Sequence, residues 1–114
     1  MSVVIWHNPR CSKSRETLAL IEHKGITPEV RLYLKDPPSK EELTEALALM
    51  GMSAFDLVRK GEQEFREANI SPDSPEEQVI GAMARWPKLI ERPVVFANGT
   101  ARLGRPPRAV LDIL

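Results

Sequence analysis

A strand pattern, a helix pattern and a second strand pattern follow one another in the first 34 residues, and this order leaves few folds open. Residues 3–6 form a short apolar run rich in β-branched side chains, which indicates a buried strand. A helix pattern starts near Lys13 and stops before Gly25, a residue suited to the left-handed position after a helix. Residues 29–34 then alternate apolar and polar side chains, as a half-buried strand does. We therefore expect two parallel strands joined by a right-handed crossover.

The other end of the chain predicts a hairpin followed by a helix. An apolar run at 93–97 and the segment Thr-Ala-Arg-Leu at 100–103 flank Asn98-Gly99, the strongest short turn signal for two antiparallel strands. Several helix patterns lie between the two ends. The order predicts an α/β protein with a four-stranded mixed sheet flanked by helices, and with a helical insertion between its βαβ and ββα halves. That connectivity is the thioredoxin-like fold, and the length suits a single domain over residues 1–114.

Charge and composition argue against several classes of protein. Sixteen basic residues balance sixteen acidic ones, and a formal net charge of zero argues against a general nucleic-acid or membrane-surface binder. No apolar run is long enough to cross a bilayer, and the start of the chain lacks the basic and apolar regions of a signal peptide. One cysteine and two histidines predict no structural metal site and no internal disulfide, so we expect a cytoplasmic protein in a reducing compartment.

Cys11 is the residue best placed for chemistry. It follows the first strand and precedes the first helix, where free backbone N–H groups and the helix dipole stabilise a thiolate. Basic neighbours lower the pKa of a thiol further, and His7 lies close in sequence, as does Ser14, whose hydroxyl can donate a hydrogen bond to the sulfur. A lone cysteine can also be a buried, inert thiol, but the polar segment around Cys11 favours a reactive and accessible one.

The spacing around Cys11 excludes two common thiol chemistries. A dithiol redox pair needs a second cysteine three positions on, where this chain has Ser14. A phosphatase-type loop needs an arginine six positions on, where Thr17 stands. Because the chain has no second cysteine to resolve a covalent intermediate, any redox cycle has to use an external thiol.

Five segments together resemble the glutaredoxin-coupled arsenate reductase family. They occur in that family's order, span almost the whole chain, and read HNPRCSKS at 7–14, YLKDPPS at 33–39, LVRK at 57–60, IERPV at 90–94 and GRPP at 104–107. Each segment alone is a weak signal, whereas five in register are a strong one. The resemblance implies a thioredoxin-like fold with a helical insertion, and we expect no bound cofactor or metal.

By this resemblance, Cys11 matches the family's nucleophile, and three arginines match its oxyanion-binding residues, Arg59, Arg92 and Arg105. Guanidinium groups suit a tetrahedral dianion such as arsenate, because they form forked, charge-assisted hydrogen bonds. Arg92 and Arg105 flank the predicted hairpin, whose strands are expected to end near Cys11. Arg59 has the weakest support from its own surroundings, because Lys60 beside it carries the same charge.

The resemblance also assigns residues that support the cysteine. His7 and Ser14 match residues credited with favouring the thiolate. Pro93 matches the cis-proline that lies beside the active cysteine in this fold.

The implied reaction is the reduction of arsenate to arsenite. The Cys11 thiolate attacks arsenic and expels water, glutathione attacks the cysteinyl arsenate, reduction yields As(III), and glutaredoxin removes the glutathione. The expected partners are therefore arsenate or a similar oxyanion, glutathione as co-substrate and glutaredoxin, with no nucleic acid and no membrane.

Two other functions stay open. The first is a glutathione-dependent reductase of mixed disulfides on the same scaffold, which the thiol and Ser14 would serve equally well and which only the arginines distinguish from an arsenate reductase. The second is a redox-sensing regulator that binds RNA polymerase. Relatives of that kind resemble a Cys-x-x-Cys switch, which Ser14 removes here.

Overall fold

The structure, a computed structural model, describes residues 2–114, so the first residue of the predicted domain lies outside it. The described chain divides into two compact units. The first runs to Asp36 and continues with Arg92–Leu114, and the second is Pro37–Glu91. The second unit thus corresponds to the predicted helical insertion, while the single domain over residues 1–114 stays a prediction.

The first unit contains the predicted mixed sheet. Its four strands are β1 (Val4–Trp6), β2 (Glu29–Arg31), β3 (Val94–Ala97) and β4 (Thr100–Leu103). Their spatial order is β2-β1-β3-β4, with β1 parallel to β2 and β3 antiparallel to both β1 and β4. This connectivity confirms the predicted thioredoxin-like fold.

The hairpin between β3 and β4 is confirmed where the sequence predicts it. Asn98 and Gly99 turn the chain with φ angles of 54° and 75°. Both are positive, as the tight turn favoured by Asn-Gly requires.

One layer of helices and one face of the sheet build the core of the first unit. Helix α1 (Ser12–His23) connects β1 to β2 and contacts the C-terminal helix, which is a 3₁₀ helix over Pro107–Ile113. The buried core residues come from β1, β3, α1, the 3₁₀ helix and their flanks, and they are Val3, Ile5, Ile21, Val95, Ala97, Val110 and Ile113. This packing fixes the start of α1 near the end of β1.

The predicted second strand is wrong in length and in the face that it buries. β2 has only three residues, because the N–H groups of Lys35 and Asp36 both bond to the Leu32 carbonyl and turn the chain. Val30 and Leu34, which the alternation places inside, are 43% and 39% exposed, whereas Tyr33 is fully buried. The alternation rule holds only while the backbone stays extended, and the turn ends that condition.

The second unit is helical. It contains α2 (Lys40–Met50), α3 (Gln63–Ala68) and α4 (Glu76–Arg85), with 3₁₀ helices over Ala54–Leu57 and Pro87–Leu89. Helix α4 contacts α2 and both 3₁₀ helices. None of the helices in residues 2–114 has the length and apolarity needed to cross a membrane.

Candidate active site

Cys11 occupies the N-cap position of α1, directly after a tight loop. The loop is held by Asn8, whose backbone carbonyl accepts from the Cys11 N–H at 3.0 Å and whose Oδ1 accepts from the Arg10 N–H at 3.0 Å. Cys11 is half-buried and forms no disulfide. An N-cap side chain faces the free N–H groups of the first helical turn.

The pKa of the Cys11 thiol is lowered from its usual value. Burial by itself raises it, because a thiolate loses hydration, but groups that stabilise the negative charge outweigh burial. These are the backbone N–H of Ser14, the charged side chain of Arg92, and the backbone N–H of Lys13. The thiolate is therefore favoured by the helix start and by one arginine acting together.

His7 and Ser14 are brought into direct contact behind this turn. The Ser14 hydroxyl lies 2.7 Å from His7 Nδ1 and accepts from the Asn8 backbone N–H at 3.0 Å, and Ser14 is fully buried. The hydroxyl thus bonds to His7 and Asn8 instead of the sulfur, and the Ser14 backbone N–H is the group that acts on Cys11.

The pKa of His7 is lowered from its usual value. Burial is the largest cause, the charge of Arg15 lowers the pKa further, and Glu22 opposes both. The ring is therefore neutral at neutral pH.

Sheet register brings Arg92 and Arg105 to the same end of the sheet as Cys11. Val94 pairs with Trp6 of β1 and with Leu103 of β4, and these are the last pairs at one end of the three strands. The segments just beyond them, which hold Arg92, Arg105 and the cysteine loop, therefore lie at the same end of the sheet. Arg105 Nε donates to the Arg92 carbonyl at 2.9 Å, and Arg105 Nη2 lies 3.9 Å from Cys11 Sγ.

Pro93 and Gly104 extend the pairing of β3 with β4 by one backbone hydrogen bond. The Gly104 N–H donates to the Pro93 carbonyl at 2.8 Å, and the Arg92–Pro93 and Arg105–Pro106 peptide bonds are both cis. A Cβ on Gly104 would lie 2.7 Å from Pro93 Cγ and 2.7 Å from the Thr17 Oγ1 of α1. Only a glycine lets the hairpin approach α1 this closely.

Arg59 belongs to the second unit, where two carboxylates hold it. Its Nε lies 3.4 Å from Glu62 Oε1 and its Nη1 lies 3.2 Å from Glu91 Oε1. Glu91 reaches Arg59 because Val58 and Ile90 form an antiparallel bridge between their two segments. The Arg59 guanidinium is therefore ion-paired within its own unit.

Three residues with evident structural roles at the site were not singled out from the sequence. Asn8 holds the cysteine loop, and Thr17 and Gly104 form the close approach between α1 and the hairpin. The Asn8-Pro9 dipeptide is a turn-initiating signal that predicts the loop. Nothing in the local sequence indicates that Thr17 meets Gly104, because that contact depends on packing.

Comparison with known proteins places these features in a family. The model of the ArsC family matches residues 6–113. The chain is 52% identical over 114 residues to the uncharacterised protein YfgD of Escherichia coli strain K12, covering 98% of this chain and 96% of that protein. It is 41% identical over 116 residues to an arsenate reductase of Haemophilus influenzae, with 100% of both chains covered. A solved structure of an arsenate reductase from Vibrio cholerae superposes with a TM-score of 0.95 at 50% identity, covering 100% of this chain and 98% of that one.

Proposed function

The chain belongs to the ArsC family, and we propose on that basis that it reduces arsenate to arsenite with Cys11 as the nucleophile. The observation that carries the proposal is the environment of the thiol. Cys11 is half-exposed at a helix start, its pKa is lowered in part by Arg92, and Arg105 Nη2 lies 3.9 Å from its sulfur. A thiolate beside guanidinium groups suits attack on an oxyanion, because the arginines bind the substrate and stabilise the charge that develops as an oxygen leaves.

The electron balance supports an external thiol as reductant. Reduction of arsenic acid to arsenous acid consumes two thiols and releases one disulfide and one water. This chain supplies one thiol, Cys11, so the second has to come from another molecule. We assign that role to glutathione. When its sulfur bonds to the Cys11 sulfur, the As–S bond breaks and its electron pair stays on arsenic, which becomes As(III). Glutaredoxin then takes over the glutathione and returns Cys11 to the thiol.

The remaining site residues are assigned supporting roles. Arg59, Arg92 and Arg105 bind the oxyanion, as the family resemblance implies. His7 and Ser14 favour the thiolate: their 2.7 Å hydrogen bond holds the first turn of α1, whose Ser14 N–H stabilises the sulfur anion. Pro93 lies between Arg92 and β3 and supports the position of that arginine.

We expect the reaction to take place in the cytoplasm, without a bound cofactor. A cycle that passes through a mixed disulfide depends on a thiol pool that is kept reduced, as it is in that compartment.

The test is NADPH oxidation coupled to arsenate through glutathione, glutaredoxin and glutathione reductase, with each component omitted in turn. We expect turnover that requires arsenate, stops without glutaredoxin, and is absent in Cys11→Ser but present in the matched control Ser12→Ala. Reduction of a glutathione mixed disulfide without any arsenate turnover would overturn the proposal in favour of a thiol reductase, which the same thiolate would also serve.

A further inference from the structure

We propose that Arg10, Lys13 and Arg15 form a carboxylate-recognition surface beside Cys11, which selects a small anionic thiol such as glutathione over a neutral thiol. The inference rests on the proposed function, because it concerns the external thiol which that reaction consumes. This basic surface is distinct from Arg92 and Arg105, which act on the sulfur itself.

The three cations are held around the start of α1. Arg10 directly precedes Cys11, and its backbone N–H is fixed by Asn8 Oδ1. Lys13 is the second residue of the helix, and its backbone N–H helps to lower the pKa of Cys11. Arg15 lies further along the helix, but its Nη1 reaches back and donates to the Pro9 carbonyl at 2.9 Å. All three residues are exposed, so their charges are accessible to a solute in the solvent.

The positive charge of this surface is not offset by ion pairs. Among residues 2–114, none of the three cations has a carboxylate within salt-bridge distance, whereas Arg31 and Arg102 in the same unit are paired with Asp36 and Asp112. The effect of Arg15 on the pKa of His7 indicates that its charge is felt at the cysteine loop. In a chain with no formal net charge, the positive charge of these three residues is local to the start of α1.

The chemistry of glutathione fits this surface. At neutral pH the tripeptide carries two carboxylates and one ammonium group beside its thiol, and its disulfide carries twice that net negative charge. Guanidinium and ammonium groups bind carboxylates through charge-assisted hydrogen bonds. Because the cations are exposed, we expect them to act mainly on the rate of encounter, and to lose that effect at high salt.

A set of three disulfides tests the proposal without arsenate. The measured reaction is attack of the Cys11 thiolate on one sulfur of the disulfide, which forms a mixed disulfide and releases the other half as a thiolate. The rate is measured with oxidised glutathione, neutral hydroxyethyl disulfide and cationic cystamine. Each rate is divided by the rate at which a small free thiol attacks the same disulfide. Surfaces of one sign raise encounter rates with opposite charges about 10- to 1000-fold, and for a few exposed charges we expect a preference for oxidised glutathione of about five- to tenfold.

The double variant Arg10→Gln with Lys13→Gln should lose most of this preference, so that its rate falls more with oxidised glutathione than with hydroxyethyl disulfide. The matched control is Lys24→Gln, which removes an exposed positive charge at the opposite end of α1 and should keep the preference. Added salt should weaken the preference in the wild type and have little effect in the double variant.

Two results would overturn the proposal. One is an unchanged preference in the double variant. The other is an equal fall in rate for all three disulfides, because that pattern would mean that the substitutions act through the pKa of Cys11. A protein that shows the preference but does not turn over arsenate would refute the proposed function and leave this inference standing.

Discussion

The arginines of the two compact units have the same guanidinium group but different neighbours. In the sheet unit, Arg92 lowers the pKa of Cys11, and Arg105 donates to a backbone carbonyl while its Nη2 approaches the sulfur. In the helical insertion, Arg59 lies between the carboxylates of Glu62 and Glu91. A sequence motif alone therefore does not indicate whether the charge of its arginine is offset, because the neighbours in the fold decide this.

The backbone explains both arrangements. The register of β3 against β1 and β4 carries Arg92 and Arg105 to the cysteine loop. In the insertion, the bridge of Val58 to Ile90 sets Arg59 diagonally across from Glu91, within reach of two long side chains.

Replacement of the Cys11 sulfur is expected to have the largest effect, since it removes the group on which Arg92 acts. We expect Cys11→Ser to abolish arsenate turnover, because no other cysteine can take its place. Serine is a favoured N-cap residue, so the fold should be kept or slightly stabilised. Turnover is checked by the coupled assay, and the fold by circular dichroism and thermal unfolding. Residual turnover above that of the assay without protein would refute the nucleophile assignment.

Arg92→Ala is expected to have the next largest effect. Loss of the guanidinium raises the pKa of Cys11, so a smaller fraction of thiolate is present at neutral pH and alkylation by iodoacetamide slows there but not at high pH. Removal of one charge-stabilising donor also lowers kcat/KM for arsenate, by about 100-fold. The pH profile of alkylation and the steady-state kinetics measure the two effects.

The control for this prediction is Arg102→Ala, which removes an exposed arginine of the same unit that is paired with Asp112. An alkylation midpoint that shifts equally in both variants would mean that the net charge of the unit, and not the position of Arg92, controls the thiol.

Gly104→Ala probes the close approach that brings Arg105 to the sulfur. The added Cβ meets Pro93 and Thr17 at 2.7 Å, and overpacking of this kind costs about 1–3 kcal/mol of stability. Gly61→Ala is the matched control, because a Cβ there meets nothing within 4 Å and the glycine has no positive φ. Denaturant unfolding measures both variants, and equal stability would show that the hairpin yields without cost.

Glu91→Gln is expected to have the smallest effect, because it removes only one of the two carboxylates that offset the charge of Arg59. Glutamine keeps a hydrogen-bond acceptor but removes one negative charge, so Arg59 should bind arsenate more strongly. We expect KM for arsenate to fall about two- to threefold, a change that corresponds to the free energy of a weak ion pair. Glu64→Gln is the control, since the Glu64 carboxylate lies 4.0 Å from Lys88 Nζ, in an ion pair that does not involve Arg59. A rise in KM would show instead that Glu91 serves to orient Arg59.

Much of the fold was predictable because its signals are local. The Asn98-Gly99 turn, the left-handed Gly25 after α1 and the position of Cys11 before a helix all follow from backbone preferences that act within a few residues. The same rules failed at β2, where a turn at Leu32 ends the strand and buries Tyr33 in place of its neighbours.

Local patterns of the chain predict the order of the elements, the single thiol and its place at a helix start, because hydrophobic periodicity and turn chemistry act between consecutive residues. Packing sets the approach of Arg105 to the sulfur, the partners of the Ser14 hydroxyl and the lack of space for a Cβ at Gly104. Those outcomes depend on strand register, on burial and on contacts between distant segments. No local pattern predicts them, because the pKa of a thiol and the contacts of a glycine depend on the neighbours that packing brings together.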